Sequence, residues 1–593
     1  MFYGSYIRSA KCATIAAALL GGAACLPLLA IPAMAQQTTA NSTADLVNLL
    51  VKRGVISRKD AEVFLRQSND EAASARPPAS RSAAAAIPPA AASITTTPPA
   101  DGAMHVTYVP ETVRQQMKAE LRQEVMQEAR AEHWAAPDSM PAWTQRLHLF
   151  GDLRTRYEGD FFPSGNDNTG AFPNFNAINT GSPFDVSKIS NPNFPPEYNV
   201  DKNRNRFRLQ LRFGLDANLG DDFRAAFRIG TGSDNQPVSL NQSLGGNGGD
   251  FSKYQIWLDR AYLQYTPTLS DRLSLEANVG RFPNPFMSTD LIFDADLNFD
   301  GAAIKTNYQA TPRLGSFVTI GAFPIFNTDL NFASNQPAKF SSDDRYLLAA
   351  QAGFDWKINH DYGLRFAAAF YDYDDIAGRL SSPCTVLSAA DACDTDATRP
   401  SFAQRGNTYM SLRQIVPTAD NNFGTTNQFQ YYGLATRFQD VSATAHLGLN
   451  HFDPFHIGID AEFVENVAFD KAAMEALALN NRGPIPSGGS IGSFDGGNVG
   501  YYVRGLFGAQ ELQRRWDWNF SVGYKYLESD AVVDGLTDAD FGLGGTNLKG
   551  YILGGSLALS SNVYAGAHWF SADSIAGSPY AVDVFQFDIG TKF

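Results

Sequence analysis

From Arg204 to Gly220 the sequence reads RNRFRLQLRFGLDANLG, with an apolar side chain at nearly every second position. A period of two places successive side chains on opposite faces, so this stretch predicts a long β-strand with one apolar face. The other face carries Arg206, Arg208 and Arg212. Such a face requires water beside it, and the apolar face requires either a protein core or another apolar medium.

Strands of this kind recur from Gln145 onward, for example WDWNFSVGYKY, HIGIDAEF and GLRFAAAFYD. Seven short connections alternate with eight long ones that are rich in Asn, Gly and Asp. The long connections span roughly 158–203, 233–253, 282–299, 325–343, 374–438, 467–497, 529–546 and 573–580. These connections join about 16 strands, an even number, as in single-chain bacterial outer-membrane barrels. The segment FQYYGLATRF remains open as an extra strand pair or a hairpin above the membrane.

A closed barrel of this size is too wide for side chains to fill, so the charged faces are expected inside and the apolar faces toward lipid. The strand lengths match the 9–11 residues or so that cross a bilayer when tilted, and closure pairs every backbone group. The sequence therefore predicts an all-β fold, a transmembrane antiparallel barrel of about 16 strands (16–18), with a small helical periplasmic N-terminal region. A soluble all-β repeat protein is the alternative.

The N-terminus has the features of an export signal. Arg8 and Lys11 precede an apolar run from Cys12 to Pro32, which a small-residue Ala-Met-Ala site follows. We expect a signal peptide over 1–35, cleaved between Ala35 and Gln36; an uncleaved anchor is the alternative. The net charge of -14 argues against nucleic acid as a partner.

The region before the barrel divides by composition. Residues 36–68 predict a short periplasmic helical segment, and 69–110 an Ala/Pro-rich linker. Residues 111–134 predict a helix with a narrow apolar stripe, either a short coiled coil or a lone helix lying on its own domain. The outer-membrane β-barrel is predicted over 144–593.

Two cysteines remain after signal removal, Cys384 and Cys393, in a polar stretch. In an exported protein such a pair favours a local disulfide. No further ligands lie near them in the sequence, so we expect no metal and no cofactor.

The last residues, FQFDIGTKF, form an amphipathic stretch that ends in Phe593. This stretch resembles the terminal strand of bacterial outer-membrane porins, which the outer-membrane assembly machinery recognises. Together with LDRAYLQYTPTLSDRLSLEANVGRFPNPF and DLNFDGAAIKTN, the chain resembles the "putative porin" family of general-porin-like barrels. The resemblance implies a water-filled channel for small hydrophilic solutes, commonly a homotrimer among outer-membrane lipid and lipopolysaccharide, with no catalytic residues.

Three neighbouring strands aim basic side chains at one wall of the predicted lumen. These are Arg154, Arg156, Arg206, Arg208, Arg212, Arg224 and Arg228. The third long loop carries acidic side chains, namely Asp290, Asp294, Asp296 and Asp300. By resemblance to general porins, this loop is expected to fold inward and form a constriction opposite the arginines. Alternatively, the arginines pair with Asp152, Asp216 and Glu276 and only hold the wall together.

Outer-membrane barrels include three classes of function: channel, enzyme and membrane anchor. The leading prediction is a passive channel in the bacterial outer membrane, with the N-terminal region in the periplasm. An enzyme is not expected, because the histidines are scattered and none lies in a nucleophile motif. The alternative is a barrel that anchors an N-terminal segment tethered to the cell wall, with peptidoglycan as its partner.

Overall fold

The computed structural model describes residues 144–187, 195–233, 236–246, 251, 253–327, 343–452, 454–487 and 491–593. The predicted signal peptide, helical segment, linker and helix within 1–134 lie outside the described residues. Residues 144–593 contain a closed antiparallel barrel of 16 strands. The predicted fold class is confirmed.

The barrel strands are numbered here in chain order. They are β1 (Leu147–Phe161), β2 (Arg204–Gly220), β3 (Phe223–Gly230), β4 (Trp257–Tyr265), β5 (Leu273–Pro283), β6 (Asn298–Thr311), β7 (Leu314–Phe326), β8 (Arg345–Lys357), β9 (Tyr362–Asp374), β10 (Phe438–Leu449), β11 (His456–Asn466), β12 (Val499–Gly508), β13 (Trp518–Leu527), β14 (Leu548–Ala558), β15 (Val563–Ser574) and β16 (Ala581–Lys592). Each strand pairs with its sequence neighbours, and β1 pairs with both β2 and β16. This last pairing closes the barrel, so no strand edge is left open to lipid.

The outer face of the wall is apolar because the alternation places every second side chain there. Phe207, Ile320 and Phe520 are 63%, 51% and 44% exposed, and the rest of their strands follow the same pattern. The polar residues between them are half-buried or buried on the opposite face. Lipid is the environment in which such an outer face is stable. Among the described residues, no helix is long and apolar enough to cross a membrane.

Most of the small elements of structure lie in the long loops; Thr144–Arg146 precedes β1 and Thr268–Ser270 lies in the short connection between β4 and β5. The helices are α1 (Phe175–Thr180) and α2 (Lys471–Leu477), and the 3-10 helices are Thr144–Arg146, Asp396–Thr398, Ala419–Gly424, Asp534–Leu536 and Phe541–Leu543. The short strands are Phe184–Asp185, Gln242–Ser243, Thr268–Ser270, Tyr409–Ser411, Phe429–Gln430 and Tyr432–Leu434. The last two lie in FQYYGLATRF and pair with other loop segments, so this stretch adds no strand to the barrel.

The largest hydrophobic core lies where the long loops meet the inner face of the barrel. Phe293, Tyr409 and Val532 are almost fully buried in it, and each comes from a different loop. Phe293 packs edge to face against Tyr371 of β9, with ring centroids 5.2 Å apart. The long-loop end of the barrel therefore contains an apolar core that several loops build against the inner face of the strands.

Candidate functional site

We define the basic wall as the seven arginines predicted to lie together on β1, β2 and β3. Those of β2 lie on the face opposite the exposed Phe207 and Phe213. The pairing register sets Arg156 of β1 directly across from Arg208 of β2. Like charges directly opposite each other destabilise a sheet unless acids separate them. The contacts of the wall show how this is avoided.

Glu158 of β1 is the acid between Arg206 and Arg208. Its Oε1 accepts a hydrogen bond from Arg206 Nε at 2.7 Å, and its Oε2 lies 2.9 Å from Arg208 Nη1. Arg156 makes a bidentate pair with Asp588 of β16, at 2.7 and 2.9 Å. Such fork-to-fork pairs fix the guanidinium orientation as well as its charge.

Each of the remaining arginines of the basic wall also has a polar partner. Arg212 Nε lies 2.7 Å from Asp152 Oδ1, and Arg224 Nη2 lies 2.9 Å from Asp216 Oδ2. Arg228 pairs with Asp259 of β4, and Arg154 Nη2 donates to Asn241 Oδ1 at 2.9 Å. Of the acids predicted as wall partners, Asp152 and Asp216 take that role. Glu276 instead accepts a hydrogen bond from Asn278 at 2.8 Å.

The third long loop, 284–297, is named loop 3 here. Within it, Asp296 contacts the basic wall: its Oδ1 lies 3.2 Å from Arg212 Nη1 and 3.3 Å from Gln210 Nε2. Asp300 lies in strand β6 and not in the loop. It pairs with Arg281 at 2.7 Å, on the face of β6 that also exposes Ile304.

Asp290 and Asp294 of loop 3 face other partners. Asp294 Oδ2 accepts from Ala539 N at 2.9 Å, and the Asp290 carbonyl accepts from Lys525 Nζ at 2.8 Å. Burial, together with the nearby Asp538, raises the pKa of Asp290 to about 6 and that of Asp294 well above its ordinary value. Loop 3 thus bridges the basic wall and a second loop.

That second loop, 528–547, is named loop 7, and it supplies an acid that sequence reasoning missed. Asp540 Oδ2 lies 3.1 Å from Arg156 Nη1. Although burial opposes ionisation, the attraction of Arg156 and then of Arg208 holds the pKa of Asp540 well below its ordinary value. The motif TDADFG places two acids in a long loop, and from it a second acidic contribution could have been predicted.

A polar cavity of about 190 Å³ lies between part of the basic wall and loop 7, beside the contact of Arg156 with Asp540. Arg206, Arg208 and Glu158 line one side of it, and Asp540 lines the other. Arg208 Nε is buried and has no hydrogen-bond partner among the described residues. Acidic and basic groups therefore face each other across a space that water-sized molecules can occupy.

A family model described as "Putative porin" matches residues 40–593. The chain belongs to this porin family. Family membership and the closed barrel together indicate an outer-membrane channel rather than an enzyme. No curated protein is similar enough to this porin to count as a relative.

Several solved structures are similar to this porin at low identity. The outer membrane channel DcaP of Acinetobacter baumannii is 12% identical over 75% of this chain and 97% of that chain, with a TM-score of 0.33. The high-pH structure of Pseudomonas putida OprB is 12% identical over 76% and 95%, with a TM-score of 0.39. OmpT of Vibrio cholerae lacking loop L8 is 12% identical over 75% and 99%, with a TM-score of 0.35.

Cys384, Cys393 and Phe593 are predicted site residues outside the basic wall and loop 3. Cys384 and Cys393 are joined by a disulfide within loop 375–437. The backbone of Phe593 exchanges hydrogen bonds of 2.9 and 3.0 Å with Gly151 of β1. Ala35 and Gln36 lie outside the described residues. In the described part of the chain, no group of three or more His, Cys, Asp or Glu residues is arranged as metal ligands.

Proposed function

We propose that this porin forms a water-filled channel through which small hydrophilic solutes and ions diffuse passively. The observation that carries the proposal is the polar cavity of about 190 Å³ between the basic wall and loop 7, inside a closed barrel with an apolar exterior. A passage with charged walls lowers the cost of moving a polar solute through a membrane.

The constriction in this proposal has two acidic contributors. Asp296 of loop 3 and Asp540 of loop 7 both oppose the basic wall, at Arg212 and Arg156 respectively. Opposed rows of charge create a transverse field that orients dipolar solutes and slows apolar ones. The acids within the wall, such as Glu158, moderate this field, so we expect a weak preference for anions and not strict selection.

The proposal extends to the assembled protein. We place the N-terminal region in the periplasm after cleavage between Ala35 and Gln36, and the barrel in a homotrimer. The helix predicted over 111–134 would associate the subunits, and the linker would allow contact with peptidoglycan. Deleting residues 36–143 tests this: trimer stability and cell-wall attachment should fall while conductance persists. Loss of conductance would contradict that division of roles.

Single-channel recording in a planar bilayer with a salt gradient tests the channel itself. We expect steady ion-conducting steps, and a reversal potential whose sign gives the ion preference. Neutralising the β2 arginines with R206Q/R208Q/R212Q should lower chloride permeability relative to potassium by about twofold or more. R313Q, in the turn between β6 and β7, removes one charge away from the basic wall and should leave the ratio unchanged.

Two results would contradict the proposal. Heat-modifiable, folded barrel that never conducts would exclude an open channel. An ion preference that responds equally to R313Q and to the β2 variant would exclude the basic wall from the conduction path.

A further inference from the structure

A second cavity lies at the long-loop end of the barrel, where several long loops pack together. This mouth cavity has a volume of about 240 Å³. Phe172, Tyr198, Arg405, Asn480, Arg482 and Ser578 are among the residues that line it. They come from four different loops, so the cavity exists only in the folded loop assembly.

Arg405 is the unusual member of this lining. Its guanidinium lies over the ring of Tyr580, 3.4 Å from the centroid, and 5.8 Å from that of Phe172. Its side chain makes one hydrogen bond to the described residues, from Nη2 to the Gly542 carbonyl at a long 3.5 Å. No carboxylate of the described chain pairs with it, whereas six of the seven arginines of the basic wall pair with one. A half-buried cation without an anion is costly, and arginine stays charged at any relevant pH.

Two other polar side chains of the mouth cavity have hydrogen-bond partners within the loops. Arg482 donates to the Ala478 carbonyl at 2.7 Å and to the Gly492 carbonyl at 2.9 Å, and it lies 3.3 Å from Glu475. Asn480 donates to the Asn407 carbonyl at 2.8 Å. These side chains hold the loops together. Of the two arginines in this lining, Arg482 has a carboxylate beside it and Arg405 has none among the described residues.

We propose that the mouth cavity binds a small organic carboxylate, whose oxygens pair with the Arg405 guanidinium while its apolar part contacts Phe172. A planar fork of N–H donors matches a carboxylate in geometry and charge, and aromatic walls favour an apolar remainder. The inference deepens the proposed channel by naming a solute class. Gly542, which Arg405 contacts, lies two residues beyond Asp540 in loop 7, and Asp540 pairs with Arg156 of the basic wall.

The test uses the full-length protein in a planar bilayer, with benzoate added on the long-loop side. Benzoate should reduce the single-channel current at concentrations where neutral benzyl alcohol does not. R405Q should raise the half-blocking concentration of benzoate by about tenfold, the loss expected for one charge-assisted hydrogen-bonded pair. R405K keeps the charge but loses the fork, so it should lie between the two. R515Q, with the same charge change at the short-turn end, should match the wild type.

The outcomes separate the site from the channel. A conducting channel with the same benzoate block in R405Q as in wild type, or with no block at all, overturns the carboxylate site and leaves the channel standing. If the barrel does not conduct, calorimetric titration of the folded protein with benzoate makes the same comparison. Inorganic phosphate in place of benzoate shows whether the apolar part matters: equal binding would overturn the role given to Phe172. Heat modifiability of each variant verifies that it has folded.

Discussion

At the scale of single residues, burial decides how the charged groups of loop 7 behave. Asp534 Oδ2 accepts a hydrogen bond from the Tyr409 hydroxyl at 2.9 Å, and Asp530 Oδ2 accepts one from the Thr408 hydroxyl at 2.6 Å. Desolvation by burial raises the pKa of Asp534 to about 7 and that of Asp530 to about 6. Both carboxyls thereby connect loop 7 to loop 375–437 through hydrogen bonds.

The stability of this contact between loop 7 and loop 375–437 should fall as pH rises. Unfolded aspartate has a pKa of about 3.9, so between about pH 4 and 7 the folded state holds more protons. The contribution of Asp534 is complete below that range and is lost as pH rises through about 7. The protection factors of the loop 7 amides, which correct exchange rates for their intrinsic pH dependence, should be higher at pH 5 than at pH 8. D534N should reduce this difference; an unchanged difference would contradict the assignment.

At the scale of elements, loop 7 connects the two sides of the barrel interior. Asp540 pairs with Arg156 of β1, and Asp538 Oδ2 lies 3.3 Å from Lys525 Nζ of β13. Loop 3 joins it through the hydrogen bond from Ala539 N to Asp294. The two loops are therefore joined, and together they present acidic side chains to the basic wall.

D540N should shift the reversal potential toward anion preference, because it removes a negative charge that faces Arg156 and Arg208. D300N is the matched control, because it also replaces one aspartate by asparagine. Asp300 pairs with Arg281 on the face of β6 that also exposes Ile304. We expect the chloride-to-potassium permeability ratio to rise about twofold for D540N and to stay constant for D300N. Equal shifts for both variants would place loop 7 outside the conduction path.

At the scale of the whole molecule, the barrel depends on the seam between its first and last strands. Arg156 and Asp588 are paired across this seam although they are 432 residues apart in the sequence. Phe593 extends the pairing at one end, and its ring packs on Gly151, where a Cβ would come within 2.7 Å of it. An unpaired seam would expose backbone groups to lipid, and each unsatisfied group would cost on the order of several kcal/mol of free energy.

F593A should reduce the yield of folded, heat-modifiable barrel, because the ring that covers Gly151 at the seam is lost. F587A removes a similar ring from the outer face of β16, where Phe587 is 41% exposed, and should have a smaller effect. Gel mobility before and after heating measures the folded fraction. A greater loss for F587A than for F593A would show that seam packing is not the limiting feature.

The sequence by itself determined the strands, their outer and inner faces and the alternation of long and short connections. Backbone geometry explains this success: the period of two is local, so each strand shows its own amphipathic pattern. The same pattern predicted that Arg206 and Phe207 lie on opposite faces. Family membership agrees with the porin resemblance that the last strand carried.

Only the tertiary structure decided which acid meets which arginine. Of the four aspartates predicted for the loop 3 constriction, Asp296 contacts the basic wall, while Asp540 of loop 7 approaches it from a distant part of the sequence. Such pairs depend on the barrel register and on loop packing, which bring together groups hundreds of residues apart. Loop packing also buried Asp534 and left Arg405 with no carboxylate partner in the described part of the chain, and no local pattern encodes either environment.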